Sequence, residues 1–100
     1  MNAELLFTEQ GRADLKALEG EKSKAGVLKQ VRKALGYLQI NPRHPSLNTH
    51  EFTSLENPFD PNGKVFEAYA QNNTPGAYRV FWCYGPHKNQ ITVIAITPHP

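Results

Sequence analysis

The sequence predicts an α+β domain with the element order β-α-α-β-β-β, in which a two-helix hairpin packs on one face of a mostly antiparallel, four-stranded sheet. Helical periodicity is confined to residues 9–40, and three runs rich in β-branched and aromatic residues occupy residues 64–97. Separate blocks of helices and strands are typical of α+β proteins. A chain of 100 residues, 39% of them hydrophobic, is long enough for one core, so we expect one domain over residues 1–100.

The chain begins with a predicted strand, "AELLFT", which leads directly into a first helix. The hydroxyl of Thr8 can cap that helix, because threonine accepts hydrogen bonds from free amides in a first turn. Leu15 and Leu18 form a narrow apolar stripe, and Gly20 is a suitable place for the helix to end.

The second helix has the clearest pattern in the sequence, and Ser23 is its predicted N-terminal cap. Its apolar positions follow a spacing of three and four residues: Leu28, Val31, Leu35 and Leu38. Asn41 and Pro42 should end it, because the residue before a proline is disfavoured in helical conformation. The two helices are therefore expected to be antiparallel and joined by a short link.

A long connection follows, "NPRHPSLNTHEFTSLENPFDPNG", which is dense in Pro, Asn and Ser. Leu47, Phe52 and Leu55 are its apolar residues, and we expect them to anchor it to the core. The pair Asn62 and Gly63 predicts a tight turn before the next strand.

Three predicted strands complete the chain: "KVFEAYAQ", "YRVFWCY" and "ITVIAIT". In the middle strand, alternation places Tyr78, Val80, Trp82 and Tyr84 on one face and Arg79, Phe81 and Cys83 on the other. If the first set packs on the helices, Arg79 looks out from an open face. That placement would avoid the cost of burying an unpaired guanidinium.

Composition restricts the classes of function. The net charge of +2 is too small for a protein that coats nucleic acid unaided, although residues 1–43 hold eight of the eleven Lys and Arg residues. The single cysteine, Cys83, excludes an intramolecular disulfide and predicts a buried thiol in a reducing compartment. The N-terminus does not resemble a signal peptide and the apolar runs are too short to span a bilayer, so we expect a cytoplasmic protein without membrane contact.

With these segments in this order, the chain resembles the RelE/ParE superfamily of bacterial type II toxins, and most closely its RelE-like and HigB-like members. The segments that carry the resemblance span nearly the whole chain: "LQINP", "VFEAYAQ", "YRVFWCY" and "ITVIAITPH". The resemblance implies a RelE-like fold and a cognate antitoxin as partner. Many members are endoribonucleases that cut mRNA, usually in the ribosomal A site, whereas ParE-type members inhibit DNA gyrase.

The resemblance also implies a set of catalytic residues and no cofactor. Arg79 matches the strand arginine that contacts the scissile phosphate in the nucleases. His99 is similar in place to a histidine or tyrosine near the C-terminus of several members, and Glu67 resembles a glutamate in HigB-like sequences.

These residue types suit RNA cleavage, which requires a base, an acid and positive charge at the phosphate. Arg79 can supply only the charge, whereas His99 and Glu67 can transfer protons. Tyr69 can stack on a base or donate a proton, and Arg43 and His44 can border the open face where an RNA backbone approaches.

Each assignment has a structural alternative. Arg79 and Glu67 can form a salt bridge across the hairpin, His99 can belong to a mobile terminus, and Tyr69 can be a packing residue. His44 and His50 suggest a metal site, but their spacing and the lack of further ligands in sequence argue against zinc.

The sequence also departs from the RelE-like nucleases. "VFEAYAQ" has no cation, and "TPHP" replaces the usual basic and aromatic tail. These departures favour an alternative function, a binding module of the same fold that cleaves nothing. Such a module would be a ParE-like gyrase inhibitor or an attenuated toxin homologue that only binds an antitoxin.

Overall fold

The computed structural model describes residues 2–72 and 74–99 and confirms the α+β class. The helices and strands have these bounds: β1 Glu4–Phe7, α1 Glu9–Glu19, α2 Ala25–Ile40, β2 His50–Glu51, β3 Phe66–Tyr69, β4 Tyr78–Tyr84 and β5 Gln90–Pro98. The strand order across the sheet is β1-β5-β4-β3-β2. β1 pairs with β5 in parallel, and the other neighbours are antiparallel.

Within residues 2–72 and 74–99 the sheet has five strands, one more than the sequence predicted. The additional strand is β2, which lies inside the connection and pairs with β3 so that His50 is opposite Glu67. A two-residue strand is too short to show alternation, and it exists here because the edge of β3 offers unpaired backbone groups.

Both helices cover the same face of the sheet, and the core lies between the two layers. Val31 and Leu38 of α2 are fully buried together with Val80 and Trp82 of β4. This confirms that Val80 and Trp82 are on the helix side of β4, as alternation predicted. None of the helices in the described part of the chain is long and apolar enough to cross a bilayer.

The predicted ends of the helices are confirmed with one exception. The hydroxyl of Thr8 accepts a hydrogen bond from the Gly11 amide at 3.0 Å, and α1 ends at Gly20. The prediction that Ser23 caps α2 is wrong, because residues 22–24 form a 3-10 turn that places Lys24 at the N-terminus of the helix. Lys24 makes no side-chain capping bond.

The long connection is anchored by two of its three predicted apolar residues. Leu47 is fully buried, and the Phe52 ring lies 4.7 Å from that of Phe81, between centroids. The prediction was wrong for Leu55, which is 36% exposed. Leu55 belongs to a stretch of the connection that lies over the open sheet face instead of under the helices, so it lines a surface cavity.

Candidate active site on the open sheet face

Four residues that the sequence singled out lie together on the sheet face opposite the helices. Tyr69 is the direct β3 neighbour of Arg79 on β4, and Glu67 lies two residues before Tyr69 on the same face. His99 follows β5, and its amide donates to the carbonyl of Ala77 at 2.8 Å, so the chain here is held beside β4. The pairing of three strands therefore gathers side chains from distant parts of the sequence.

The Glu67 carboxylate is the centre of this cluster, and it is only 1% exposed. Its Oε2 forms a 2.6 Å hydrogen bond with Nδ1 of His99. Its Oε1 lies 2.6 Å from Nε2 of His50, although the angles at this contact are not those of a hydrogen bond. One buried carboxylate thus bridges two imidazoles.

Both imidazoles reach solvent, with side chains 49% exposed for His50 and 47% exposed for His99. The two nitrogens of His50 both face acceptors, since Nδ1 lies 3.1 Å from the carbonyl of Asn48. In His99, Nε2 has no hydrogen-bond partner within residues 2–72 and 74–99. His99 is therefore the imidazole of the pair with a nitrogen left to face a substrate.

Arg79 lies on the predicted face, but the expectation that it looks out was wrong, because its side chain is only 9% exposed. The Tyr69 ring covers the guanidinium, with 3.7 Å between the ring centroid and Cζ. Nη1 donates to the carbonyl of Gln71 at 2.6 Å. Strand alternation predicts on which face of the sheet Arg79 lies, but it does not predict which neighbouring residues cover its side chain.

The predicted alternative for Arg79, an ion pair with Glu67, is present in the structure. Nε of Arg79 lies 3.8 Å from Oε2 of Glu67, which is an ionic contact but too long for a hydrogen bond. The guanidinium is thus held by a carboxylate, an aromatic ring and two carbonyls, since Nη1 also donates to the carbonyl of Tyr78 at 3.4 Å. Nη2 makes no hydrogen bond to the described residues and is not enclosed, so it remains the group that an anion can reach.

Arg43 and His44 are not in contact with this cluster. They line a cavity of about 650 Å³ at the β2 edge of the sheet, and His50 lines the same cavity. His44 stacks on Tyr37 with 4.0 Å between centroids, and its Nδ1 accepts from the Ser46 amide. The substrate-binding role predicted for Arg43 and His44 stays a prediction, and His50 is the residue that joins their cavity to the cluster.

His50 is the member of the cluster to which sequence reasoning gave no catalytic role. The signal was the pair of histidines in "RHPSLNTH", which suggested only a metal. In the described part of the chain no three ligating side chains are placed to hold a metal ion. His50 and His99 instead each contact an oxygen of the Glu67 carboxylate directly, at 2.6 Å.

Cys83 is fully buried, and burial raises the pKa of the Cys83 thiol to about 11. A thiol in this state is a poor nucleophile at neutral pH. The chemistry of the site therefore lies with Glu67, Arg79 and the two imidazoles.

No protein-family model matches the sequence, and no curated protein sequence matches it significantly. Solved structures do match. A YoeB/ParE toxin from Agrobacterium tumefaciens superposes with a TM-score of 0.70 at 10% identity, over 97% of this chain and 99% of that one. The YoeB dimer from Staphylococcus aureus gives 0.69 at 15% identity over 100% of both chains. The archaeal RelE-RelB complex from Pyrococcus horikoshii gives 0.64 at 16% identity over 98% and 96%.

Proposed function

We propose, from the premise that this chain has the fold of the RelE/ParE toxins, that it is the toxin of a type II toxin-antitoxin system and cuts mRNA on the ribosome. The observation that carries the proposal is the buried carboxylate of Glu67, which orients a half-exposed imidazole beside a guanidinium. A ribonuclease needs this combination of a proton-transfer group and a fixed cation.

In the proposed reaction, the 2′-oxygen of the RNA attacks the adjacent phosphorus and the bond to the 5′-oxygen breaks. Nε2 of His99 takes the proton of the 2′-hydroxyl, because Nδ1 donates to Glu67 and leaves Nε2 with a free lone pair. Glu67 is too buried to meet the substrate, so it acts by orienting the ring and stabilising its charge. The leaving 5′-oxygen takes a proton from water.

Arg79 has the role of holding the phosphate. Its Nη2 can donate to a phosphate oxygen while Nη1 stays bonded to Gln71 and Tyr69 fixes the plane of the group. A donor held in place before the reaction costs no reorganisation as negative charge grows on the phosphate. Tyr69 therefore contributes by positioning Arg79 in this mechanism, as well as by any contact with a base.

The proposed partners are a cognate antitoxin, mRNA and the ribosome, in the cytoplasm. Support for an antitoxin comes from the similar structures, because the archaeal RelE and the Escherichia coli RelE were both solved as complexes, with RelB and as RelBE. An antitoxin that covers the open sheet face would neutralise the toxin by closing access to His99.

The test is primer extension on cellular mRNA after brief induction of the wild type and of three variants. We expect cuts at defined codon positions with the wild type, and none with His99→Ala, which removes the proposed proton acceptor. Arg79→Lys should cut at least about 10-fold less, because an ammonium cannot replace the planar, stacked group. Arg32→Ala, which removes an exposed cation on α2, should cut like the wild type.

Growth arrest without cuts would contradict the ribonuclease proposal and favour the alternative, a binder of the same fold with gyrase as its first candidate target. Cuts that persist in His99→Ala would place the proton transfer on another residue.

A further inference from the structure

A cavity of about 580 Å³ opens on the same sheet face, next to the cluster. The connection forms one side of it and the sheet forms its floor. Its lining residues are Phe52, Ser54, Leu55, Phe81, Ala95, Thr97 and His99. Its volume lies within the ordinary range for pockets that bind small organic groups.

The cavity is continuous with the proposed centre of cleavage. His99, which hydrogen-bonds to Glu67, forms one of its walls. Thr97 is the β5 neighbour of Arg79, and Ala95 is the β5 neighbour of Phe81, so the floor begins one strand away from the guanidinium. A group bound in the cavity would therefore lie directly beside the phosphate that Arg79 holds.

The chemistry of the lining fits a flat, uncharged group. Among the described residues no Asp, Glu, Lys or Arg lines the cavity, and the half-buried ring of Phe52, which packs on the buried ring of Phe81, supplies aromatic surface for stacking. The hydroxyl of Thr97 donates to the carbonyl of Pro98 at 2.9 Å, so it faces other groups as an acceptor. Together with the Ser54 hydroxyl it can read the N–H groups of a base edge.

We propose that this cavity holds the nucleobase next to the scissile phosphate and so determines which base flanks the cut. The inference rests on the proposed function, because only an RNA substrate brings a base and a phosphate to adjacent places. A nucleobase fits both the aromatic surface and the two hydroxyls. A purely apolar side chain of a protein partner would leave the hydroxyls unused.

The first test measures binding without cleavage. The four nucleoside 3′-monophosphates are titrated into methyl-labelled protein and followed by NMR. We expect shifts in the methyl groups of Leu55, Ala95 and Thr97, and different affinities for the four bases. Ala95→Leu fills the cavity from its floor and should weaken binding by about 10-fold or more, the size of one stacking contact. Ala17→Leu makes the same change on the exposed side of α1 and should bind like the wild type.

If Ala95→Leu does not fold, the nucleotide titration is carried out with Leu55→Ala instead. Leu55 is partly exposed, and shortening its side chain enlarges the cavity without overfilling the core. The second test sequences the 5′ ends of cut mRNA. Ala95→Leu should flatten the base preference beside the cut while Ala17→Leu keeps it.

Three results would overturn the inference: shifts confined to other surfaces, equal affinity in the wild type and in Ala95→Leu, or a loss of antitoxin affinity in Ala95→Leu with nucleotide binding intact. The last result would make the occupant a protein side chain. Base-specific binding without any mRNA cuts would instead refute the proposed function and leave the cavity as a nucleotide site.

Discussion

Glu67 is the residue whose environment is most costly, because its carboxylate is almost completely removed from water. Arg79 and the two imidazoles surround it with donors and positive charge. Such a group stabilises the fold only as long as its partners remain. Each partner in turn depends on the carboxylate, and Arg79 does so most, because it is the least exposed of the three.

Glu67→Gln should therefore lower the free energy of unfolding by about 3 kcal/mol, since it keeps the shape of the side chain but leaves the Arg79 charge buried without its counter-charge. Urea denaturation measures the change. The matched control is Glu19→Gln, which breaks an exposed ion pair with Arg32 and should cost less than about 1 kcal/mol. Equal effects of the two substitutions would mean that water, and not Glu67, compensates the charge of Arg79.

That Glu67, Arg79 and His99 belong to one site was predictable from the sequence, because the resemblance to known toxins selects all three and strand alternation places Arg79 on the face opposite the helices. The position of His50 was not. It depends on the register of a two-residue strand against β3, and no local pattern encodes that register. The burial of Arg79 was missed for a related reason, because it depends on the conformation of Tyr69 and on the path of the chain at Gln71.

The helix α1 packs against β5. Side chains at its N-terminal end bond to backbone groups of β5 where no neighbouring strand is present in the described part of the chain. β1 pairs with β5 only as far as Val93, so beyond it no strand among residues 2–72 and 74–99 pairs with β5 on that side. The Thr8 hydroxyl donates to the carbonyl of Ile94 at 2.8 Å, and an Asp14 oxygen accepts from the Ile96 amide at 2.9 Å. Side chains of α1 thus satisfy backbone groups that a strand would otherwise pair.

This close approach requires a glycine at position 11. A Cβ there would lie 2.5 Å from the carbonyl oxygen of Val93, which is backbone and cannot move aside. Gly11→Ala should therefore destabilise the protein by about 2 kcal/mol or more. Gly36→Ala in α2 is the matched control. Nothing lies within 4 Å of its added Cβ, so it should stabilise the helix by about 0.5–1 kcal/mol. Thermal unfolding compares the two, and a stable Gly11→Ala protein would show that α1 can move away from β5.

β4 was predicted more accurately than the link between the helices. β4 coincides with the predicted run "YRVFWCY", because burial on both faces leaves a continuous apolar and aromatic segment. The link between the helices was harder to predict. The residues of this link are polar throughout. The same local sequence is compatible with Ser23 as a helix cap and with Ser23 inside a 3-10 turn.

At the scale of the whole molecule, the cations and the candidate site lie on opposite sides. Seven of the eleven Lys and Arg residues belong to the helical layer and its connecting turn: Arg12, Lys16, Lys22, Lys24, Lys29, Arg32 and Lys33. The strands β3, β4 and β5 contain one cation, Arg79, which is mostly buried. Affinity for nucleic acid comes mainly from cations that neutralise phosphates. The site face is therefore poorly equipped to capture RNA by itself.

This separation predicts that cleavage depends on the ribosome for positioning. Purified protein should cut an mRNA in a translating extract at least about 100-fold faster than the same mRNA free in buffer, because effective molarity at the ribosome replaces the missing phosphate contacts. Primer extension on matched reactions with and without ribosomes measures the ratio. His99→Ala in both reactions identifies cuts from contaminating nucleases. Equal rates on free and ribosome-bound mRNA would show that the open face, with its single guanidinium and its side cavity, suffices to bind RNA.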